Sequence, residues 1–256
     1  MLQIFSLVFS FVVGEYISTC HAGLVASATL GPVPIGPPTV NLAVLERQLN
    51  PTGIVGACLT NDSDSNVGVS SGNPWSYSRW RNGYIVQLSS QWSPEQVRLI
   101  EGALYEISTK ICIPILKWAV GSRPRGDYVY IQKGRAGTGC YSTGIGRQGG
   151  WQIINLQDPG CVTKGMIIHE NIHAMGFNHE QTRPDRNNYI NVYRNEIQRG
   201  RLSNYMQKFA FWETEEHAYD IYRGSLTFGV PYDFSSVMHY GSYDFSRIGN
   251  PTMRKR

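Results

Sequence analysis

The run from His169 to His179 constrains this chain more than any other segment, because it places three imidazoles at the spacings of a metal site. Residues four apart lie on one face of a helix, so His169 and His173 can direct two ring nitrogens at one ion. Gly176 can adopt a positive φ and end this helix, after which the chain turns back and His179 supplies a third ligand. Glu170 is then expected beside a fourth coordination position that is left open for water.

This set of residues predicts a catalytic site with one Zn²⁺ per chain. Zinc lowers the pKa of a bound water from about 15.7 toward roughly 7, which supplies a nucleophile near neutral pH. Glu170 is expected to accept the proton of the attacking water and to pass it to the leaving amine. The pattern therefore predicts amide hydrolysis. The alternative, an amphipathic helix with incidental histidines, explains neither the third histidine nor the glycine.

Two motifs, in the right order, resemble the astacin family of zinc endopeptidases. In the first, Glu180 follows the third histidine directly, which separates that family from other metzincins. The second, Ser236-Val237-Met238-His239-Tyr240, resembles a Met-turn. The resemblance implies that Met238 lies beneath the imidazoles as a hydrophobic floor. It also implies that Tyr240 coordinates zinc at rest and swings to stabilise the tetrahedral intermediate, which a phenol with a reference pKa of about 10 can do at neutral pH.

By the same resemblance, the fold is expected to be α+β, a metzincin or zincin-like catalytic domain of two subdomains. A twisted mixed sheet and the active-site helix form the upper subdomain, and the lower one holds the Met-turn. Upstream of the motif, Ser93, Pro94 and Gln96 combine an N-cap, an N1 proline and a capping-box partner. They predict a helix through about Lys110, with a buried stripe at intervals of three and four: Val97, Ile100, Leu104 and Ile107.

The segment 80–88 resembles the family's first strand, and short apolar runs predict strands at 112–116, 128–131 and 152–156. The segment 139–142 is expected to be an edge strand. The free backbone groups of such a strand can pair with an extended peptide substrate.

The first 70 residues of the 256-residue chain are predicted to be leader segments. An apolar run at 2–13, too short to span a bilayer, and a small residue at Ala22 indicate a signal peptide, 1–22, and hence a secreted, extracellular protein. Residues 23–70, rich in Gly, Pro, Val, Ser and Thr, indicate a pro-segment. The remainder, 71–256, is expected to be one metalloprotease domain.

The family's pro-segments commonly block the site with an aspartate in a Phe-x-Gly-Asp motif, which this sequence lacks. Asp62, Asp64 and Cys58 are alternative candidates, because carboxylates and thiolates both bind zinc. The alternative hypothesis is that all three residues lie in a solvated linker and bind no metal.

Charge and two short motifs exclude other function classes. The 23 basic and 19 acidic residues give a net charge of +4 and are scattered, so no nucleic acid is expected as a partner. Residues 144–149 spell G-x-G-x-x-G, but a loop and a strand are predicted after them instead of a helix, which rejects nucleotide binding. Arg125-Gly126-Asp127 matches an integrin-recognition tripeptide, but three residues recur easily by chance, and a turn is predicted there. No membrane span is expected. The other histidines lack ligand spacing: His21, His217 and His239.

Five cysteines are present, and Cys20 is expected to leave with the signal peptide. By the resemblance, Cys140 and Cys161 form a disulfide that closes a loop of about twenty residues and contributes roughly 3 kcal/mol. Cys112 matches a family cysteine whose partner lies near the end of the catalytic domain. That partner is absent here, so Cys112 is either unpaired or bonded to Cys58.

The resemblance covers about 80–248, so the chain is expected to be truncated at its C-terminus relative to the family's catalytic domain. The first hypothesis is a secreted endopeptidase whose partners are protein or peptide substrates, bound extended along an edge strand, and extracellular inhibitors. The second is a zinc-binding but non-proteolytic truncated isoform that acts as a binding module. The complete set of ligands, base and tyrosine favours the first. The substrate, the cleavage preference and the activation site are left open.

Overall fold

The computed structural model describes residues 33–35, 78–81, 83–111, 113–119, 123–199, 217–227 and 229–256. The predicted signal peptide and nearly all of the predicted pro-segment lie outside these ranges. So do several residues singled out above: Cys20, His21, Cys58, Asp62, Asp64 and Cys112. Within the described ranges the fold is α+β: the upper part combines a six-stranded sheet and two helices, and the lower part has little regular structure.

The elements follow one another along the chain as β1 (Val33–Pro34), β2 (Tyr84–Leu88), α1 (Pro94–Ser108), β3 (Ile115–Trp118), β4 (Tyr128–Gly134), β5 (Cys140–Ser142), β6 (Trp151–Gln157), α2 (Lys164–Met175), β7 (Ile190–Val192) and β8 (Met253–Lys255). Short 3₁₀ turns lie at Glu180–Thr182, Arg186–Asn188, Arg194–Glu196 and His217–Tyr219.

The six-stranded sheet has the order β1-β3-β2-β4-β6-β5. Strands β3, β2, β4 and β6 are parallel, whereas β1 and β5 are antiparallel to their neighbours. The strand predicted at 112–116 begins later, at Ile115, because Pro114 has no amide hydrogen to give to a ladder. Strand β5 lies at one edge, where an edge strand was predicted, so one side of its backbone is open to a further strand.

Strand β1 is a finding that the sequence did not predict. It lies within the predicted pro-segment and pairs antiparallel with β3 at the edge opposite to β5. The Ile35 amide donates to the Ile115 carbonyl over 3.2 Å, and Ile35 is buried. A proline is compatible with this position because edge strands leave one row of backbone groups unpaired.

Helix α1 begins as its capping signals predict. The Ser93 side chain accepts the Gln96 amide hydrogen, the Gln96 side chain accepts the Ser93 amide hydrogen, and Pro94 occupies the first turn. The helix ends at Ser108, two residues before the predicted end, because the Lys110 amide bonds three residues back, to the Ile107 carbonyl, instead of continuing the α-helical pattern.

One apolar core joins the sheet to both helices. Its buried residues come from the strands, from α1, from α2 and from the predicted Met-turn: Val86, Val129, Ile131, Ile154, Leu156, Ile100, Leu104, Ile107, Ile167, Ile172 and Met238. Because Met238 belongs to this cluster, the lower part of the chain is packed directly against the upper part.

The predicted disulfide between Cys140 and Cys161 is confirmed, with a Cα–Cα distance of 5.6 Å. It ties β5 to the segment just before α2. Closing a loop between residues 21 apart in sequence removes chain entropy from the unfolded state, which stabilises the native protein by about 3 kcal/mol.

The tripeptide at Arg125 is a turn before β4, as predicted. Gly126 has φ 86°, and the Asp127 carboxylate accepts hydrogen bonds from the Gly150 amide and the Arg147 guanidinium, both over 2.6 Å. Its carboxylate therefore braces the neighbouring loop. None of the helices in the described ranges has the length and apolar character needed to cross a bilayer.

Candidate metal centre

Helix α2 carries the first two histidines of the motif. It starts after Thr163, whose side chain accepts the Met166 amide hydrogen, and it ends at Gly176, which has φ 118°. A side chain at that φ would be strained, so glycine allows the chain to leave the helix and turn back. This turn brings His179 to the same place as His169 and His173, and ligand atoms of the three side chains lie within 4.8 Å of one another.

The three imidazoles meet through their Nε2 atoms. The Nε2 of His179 lies 3.1 Å from that of His173 and 3.2 Å from that of His169. The opposite nitrogens of the two helical histidines face backbone carbonyls: Nδ1 of His169 lies 2.8 Å from the Val237 oxygen, and Nδ1 of His173 lies 2.7 Å from the Phe177 oxygen. A carbonyl only accepts, so each Nδ1 donates and each Nε2 of this pair presents a lone pair.

These nitrogens fit one zinc ion. Zinc binds imidazole nitrogens at about 2.0–2.1 Å with tetrahedral angles, which separates two such nitrogens by about 3.3 Å. The two Nε2 distances of 3.1 and 3.2 Å agree with that separation.

Burial keeps the three imidazoles neutral, which is the form that binds metal. Desolvation, and then the neighbouring imidazole of His169, lower the pKa of His173 to about 3. Desolvation likewise lowers the pKa of His169 and holds the pKa of His179 well below its usual value. Protons therefore compete with a metal ion less than they would at exposed histidines.

Glu170 lies on α2 between the two helical ligands, and only 3% of the residue is exposed. Burial raises the pKa of its carboxyl group to about 8, and a hydrogen bond with the Ser142 backbone opposes this shift. A carboxyl group in this pKa range can both take up and release a proton near neutral pH. The bond to Ser142 also connects this group to the end of β5.

The predicted Met-turn is hydrogen-bonded to the segment that carries the histidines. Met238 is buried, and its carbonyl accepts the Glu180 amide hydrogen over 2.9 Å. The preceding carbonyl, that of Val237, accepts from His169, so two successive peptide groups hold the turn against the motif. The Tyr240 ring centroid is 4.5 Å from that of His179. Burial raises the pKa of Tyr240, so its phenol stays protonated.

Two buried polar residues of the site were not singled out by the sequence analysis. Gln181 is fully buried, and its side-chain oxygen accepts the Tyr240 amide hydrogen over 3.2 Å. Arg183 is 1% exposed and donates to the Glu180 carboxylate over 2.9 Å. It also forms a two-bond fork with Asp185, at 2.9 and 2.8 Å. An arginine three residues after a glutamate and two before an aspartate was the signal that could have identified this network.

Glu180 connects this network to the Met-turn. Its carboxylate accepts from Arg183 and from the Asp233 amide, each over 2.9 Å. Its own amide donates to Met238. The residue after the third histidine therefore has a structural function: it holds the start of the lower part against the segment that leads into the Met-turn.

The end of α2 is held by a segment that resembled a nucleotide-binding motif. The Gly146 amide donates to the His173 carbonyl over 2.9 Å. A Cβ at Gly146 would lie 2.8 Å from the Ser78 oxygen and 3.4 Å from the Gly176 Cα. Gly146 thus permits close backbone approach to the end of the active-site helix, and a strand, not a helix, follows this segment.

His239, for which the sequence predicts no ligand spacing, uses both ring nitrogens for other partners. Its Nδ1 donates to the Tyr240 carbonyl, and its Nε2 accepts from the Tyr232 hydroxyl, both over 2.7 Å. It is absent from the group of described side chains that could share a metal ion. His217 lies in a 3₁₀ turn of the lower part.

Comparisons with known proteins agree with this geometry. The family model of Astacin, a family of peptidases, matches residues 73–256. The chain is 37% identical to zinc metalloproteinase nas-15 of Caenorhabditis elegans over 175 residues, which are 68% of this chain and 27% of that protein. It is 35% identical to high choriolytic enzyme 1 of Oryzias latipes over 171 residues, which are 64% of this chain and 54% of that protein.

The solved structure of that hatching enzyme zinc-protease, high choriolytic enzyme 1, has the same fold. It superposes with a TM-score of 0.55 at 28% identity, over 78% of this chain and 84% of the other. The chain spans from about a quarter to about a half of the length of these curated relatives. The family match, the shared fold and the three converging imidazoles together show that this chain belongs to the astacin family of zinc peptidases.

Proposed function

We propose that this protein is a secreted, zinc-dependent endopeptidase that hydrolyses internal peptide bonds of proteins. One observation carries the proposal: three imidazole nitrogens converge beside a buried carboxyl group that lies on the same helix as two of them. Membership of the astacin family supports the same reaction, because the relatives described above are named as zinc metalloproteinases or as a hatching enzyme.

Each residue of the site has a distinct part in the proposed reaction. His169, His173 and His179 hold the zinc ion, which when bound supplies Lewis-acid polarisation of a carbonyl group and of a water molecule. Glu170 accepts the proton of the attacking water and delivers it to the amine that leaves. Burial raises the pKa of its carboxyl group and the positive charge of a bound zinc ion would oppose that shift, so the group can both take up the proton and release it.

Tyr240 is the proposed donor to the carbonyl oxygen. The phenol ring lies 4.5 Å from the ring of His179, and its raised pKa keeps the hydroxyl hydrogen in place. A hydrogen bond to an oxygen that becomes negative in the transition state lowers the barrier more than it stabilises the bound substrate.

The substrate is proposed to bind as an extended peptide along β5. This strand pairs with β6 on one side only, so its outer edge offers backbone groups to another strand. Cys140 is held by the disulfide at one end of β5, and the Ser142 backbone is hydrogen-bonded to Glu170 at the other. A peptide paired with β5 would therefore be held at a fixed position relative to the metal centre. Extracellular inhibitors that present an extended segment are expected to use the same edge.

Secretion and activation complete the proposal. We assign 1–22 as a signal peptide, 23–70 as a pro-segment and 71–256 as the metalloprotease domain. The Cys140–Cys161 disulfide supports export, because disulfides persist in oxidising compartments. The inferred pro-segment is removed by a cut near residue 71, close to the start of the family match at residue 73.

The test is a cleavage assay on the exported and processed protein, with its zinc content measured in parallel. We expect one zinc ion per chain and cleavage of a denatured protein that is lost in the Glu170→Gln variant. Glu95→Gln makes the same chemical change on the exposed face of α1 and should leave cleavage intact. Stoichiometric zinc without any cleavage that depends on Glu170 would instead favour the non-proteolytic binding module.

A further inference from the structure

Phe245 has a strained backbone. Its φ is 53°, and no other residue except glycine has a positive φ in the part of the chain that the structure describes. A bulky side chain in this left-handed region is unfavourable, so surrounding contacts must maintain the conformation. Strain of this kind is concentrated at functional sites, where the position of a side chain matters more than local stability.

Hydrogen bonds on both sides hold the backbone of Phe245. Its carbonyl accepts the Gln198 amide hydrogen over 2.8 Å. The preceding carbonyl, that of Asp244, accepts the Tyr219 hydroxyl over 2.5 Å and the Thr252 hydroxyl over 2.9 Å. The turn that contains Phe245 is thereby built into the lower part of the fold.

The strained residue places an aromatic ring against Tyr240. The two ring centroids are 5.4 Å apart. The Tyr240 ring also lies 4.5 Å from the ring of His179 and 5.6 Å from the ring of Tyr219. His179 and Tyr219 are buried, whereas Phe245 is 37% exposed. Phe245 therefore forms the solvent-facing side of a three-ring enclosure around the tyrosine.

We propose that Phe245 is a positioning residue, which confines the Tyr240 ring beside His179 and so limits the positions from which its hydroxyl reaches the reacting carbonyl oxygen. The inference rests on the proposed function of Tyr240 as donor. Without the Phe245 ring, the solvent side of the enclosure is open and the tyrosine can adopt other side-chain rotamers. Displacement of a donor by about 1 Å can reduce turnover by as much as 10²-fold.

The first test uses a double-mutant cycle. Phe245→Asn removes the ring but tolerates a positive φ, so the fold is preserved. We expect it to lower kcat about tenfold with a KM change below about twofold, and Phe245→Tyr to retain nearly full turnover. In a Tyr240→Phe background the same substitution should change kcat less than about twofold, because the donor is already absent. Tyr243→Asn, at a 63% exposed residue of the same turn, is the control and should be silent.

A second test does not depend on turnover. A phosphinic peptide, which is tetrahedral and anionic, mimics the transition state. We expect Phe245→Asn to weaken binding of this peptide to the zinc-loaded protein about tenfold when Tyr240 is present and less than about twofold when it is replaced by Phe. Calorimetry on the four proteins measures the difference.

The outcomes separate the two proposals. If Phe245→Asn lowers kcat and phosphinic peptide affinity equally with and without the Tyr240→Phe substitution, the positioning function is overturned. A change in KM alone would also overturn it and would identify Phe245 as a substrate contact. If the coupling to Tyr240 appears in phosphinic peptide binding but no cleavage depends on Glu170, the proposed function fails and the positioning of Tyr240 stands. Cleavage that depends on Glu170 without coupling refutes only the inference about Phe245.

Discussion

Replacing Arg183 by Met tests whether the buried charge network holds the start of the lower part against the segment that leads into the Met-turn. Arg183 is 1% exposed and donates to the Glu180 carboxylate and to the carbonyls of Val230 and Pro231. Removing it leaves the Glu180 carboxylate buried with one remaining bond, from the Asp233 amide. Removing one partner of a buried ion pair costs about 3–5 kcal/mol, because the other charge stays uncompensated.

The Asp185 partner adds little to this figure. Its side chain is 30% exposed, so water can replace the guanidinium when Arg183 is absent. The expected loss in free energy of unfolding is therefore about 3–5 kcal/mol, a large part of the total stability of a single domain. A second substitution, Glu180→Gln, should restore part of this loss because it removes the uncompensated charge.

The assay is urea unfolding of the zinc-loaded Glu170→Gln protein, in which self-cleavage is prevented. Zinc concentration is held equal for all variants, because a ligand that binds the native state adds to apparent stability. Arg194→Met is the matched control: the Arg194–Asp220 pair is 44% exposed on both sides, so its loss should cost less than about 1 kcal/mol. A loss below about 1 kcal/mol for Arg183→Met, or no recovery in the double variant, would refute the reasoning.

Three further predictions concern the active-site helix. Gly146→Ala places a Cβ 2.8 Å from a backbone oxygen, whereas Gly149→Ala at a similar φ meets nothing within 4 Å. Thermal unfolding should therefore show a larger loss of stability for Gly146→Ala than for Gly149→Ala, and equal losses would contradict the close packing. Tyr84→Phe removes a buried hydroxyl that donates to the Asn171 side chain over 2.8 Å. It should cost about 1–3 kcal/mol in urea, and a neutral result would show that this bond is not needed. In the metal-free protein, Glu170 binds a proton in the native state up to a pKa of about 8, against a usual value of 4.5. Below about pH 7.5 the three buried histidines oppose this effect, because their imidazoles are partly protonated in the unfolded chain and neutral in the native protein. Above about pH 7.5 stability should fall by at most about 1.4 kcal/mol per pH unit. Glu170→Gln should remove this slope in unfolding curves recorded across that range, and an unchanged slope would contradict the raised pKa.

Local sequence rules were sufficient for the helices of the upper part. The capping box at Ser93 depends on residues three apart, so it can be recognised without knowledge of the fold. The same is true of Gly176, whose positive φ lets the chain leave α2. Strand positions were predicted less accurately. The 112–116 run begins as a strand only at Ile115, and β1 was not predicted, because a two-residue strand carries almost no periodic signal.

The functional site likewise contains some residues that local spacing predicts and others that it does not. The spacing of His169, His173 and His179 predicted a metal site because the first two lie one helical turn apart and a glycine lets the chain turn back to bring the third beside them. The resemblance to a known family then supplied Tyr240, Met238 and the disulfide, which spacing alone does not give.

The order of residues along the chain was enough to predict the ligands and the general base and to identify the family, because these depend on residue types at short and regular separations. How those groups are held follows from the folded chain. The carbonyl that orients His169 comes from Val237, 68 positions away, and the ring beside Tyr240 comes from a strained Phe245. The raised pKa of Glu170 also belongs to the fold, because desolvation depends on everything packed around a group and not on its neighbours in sequence.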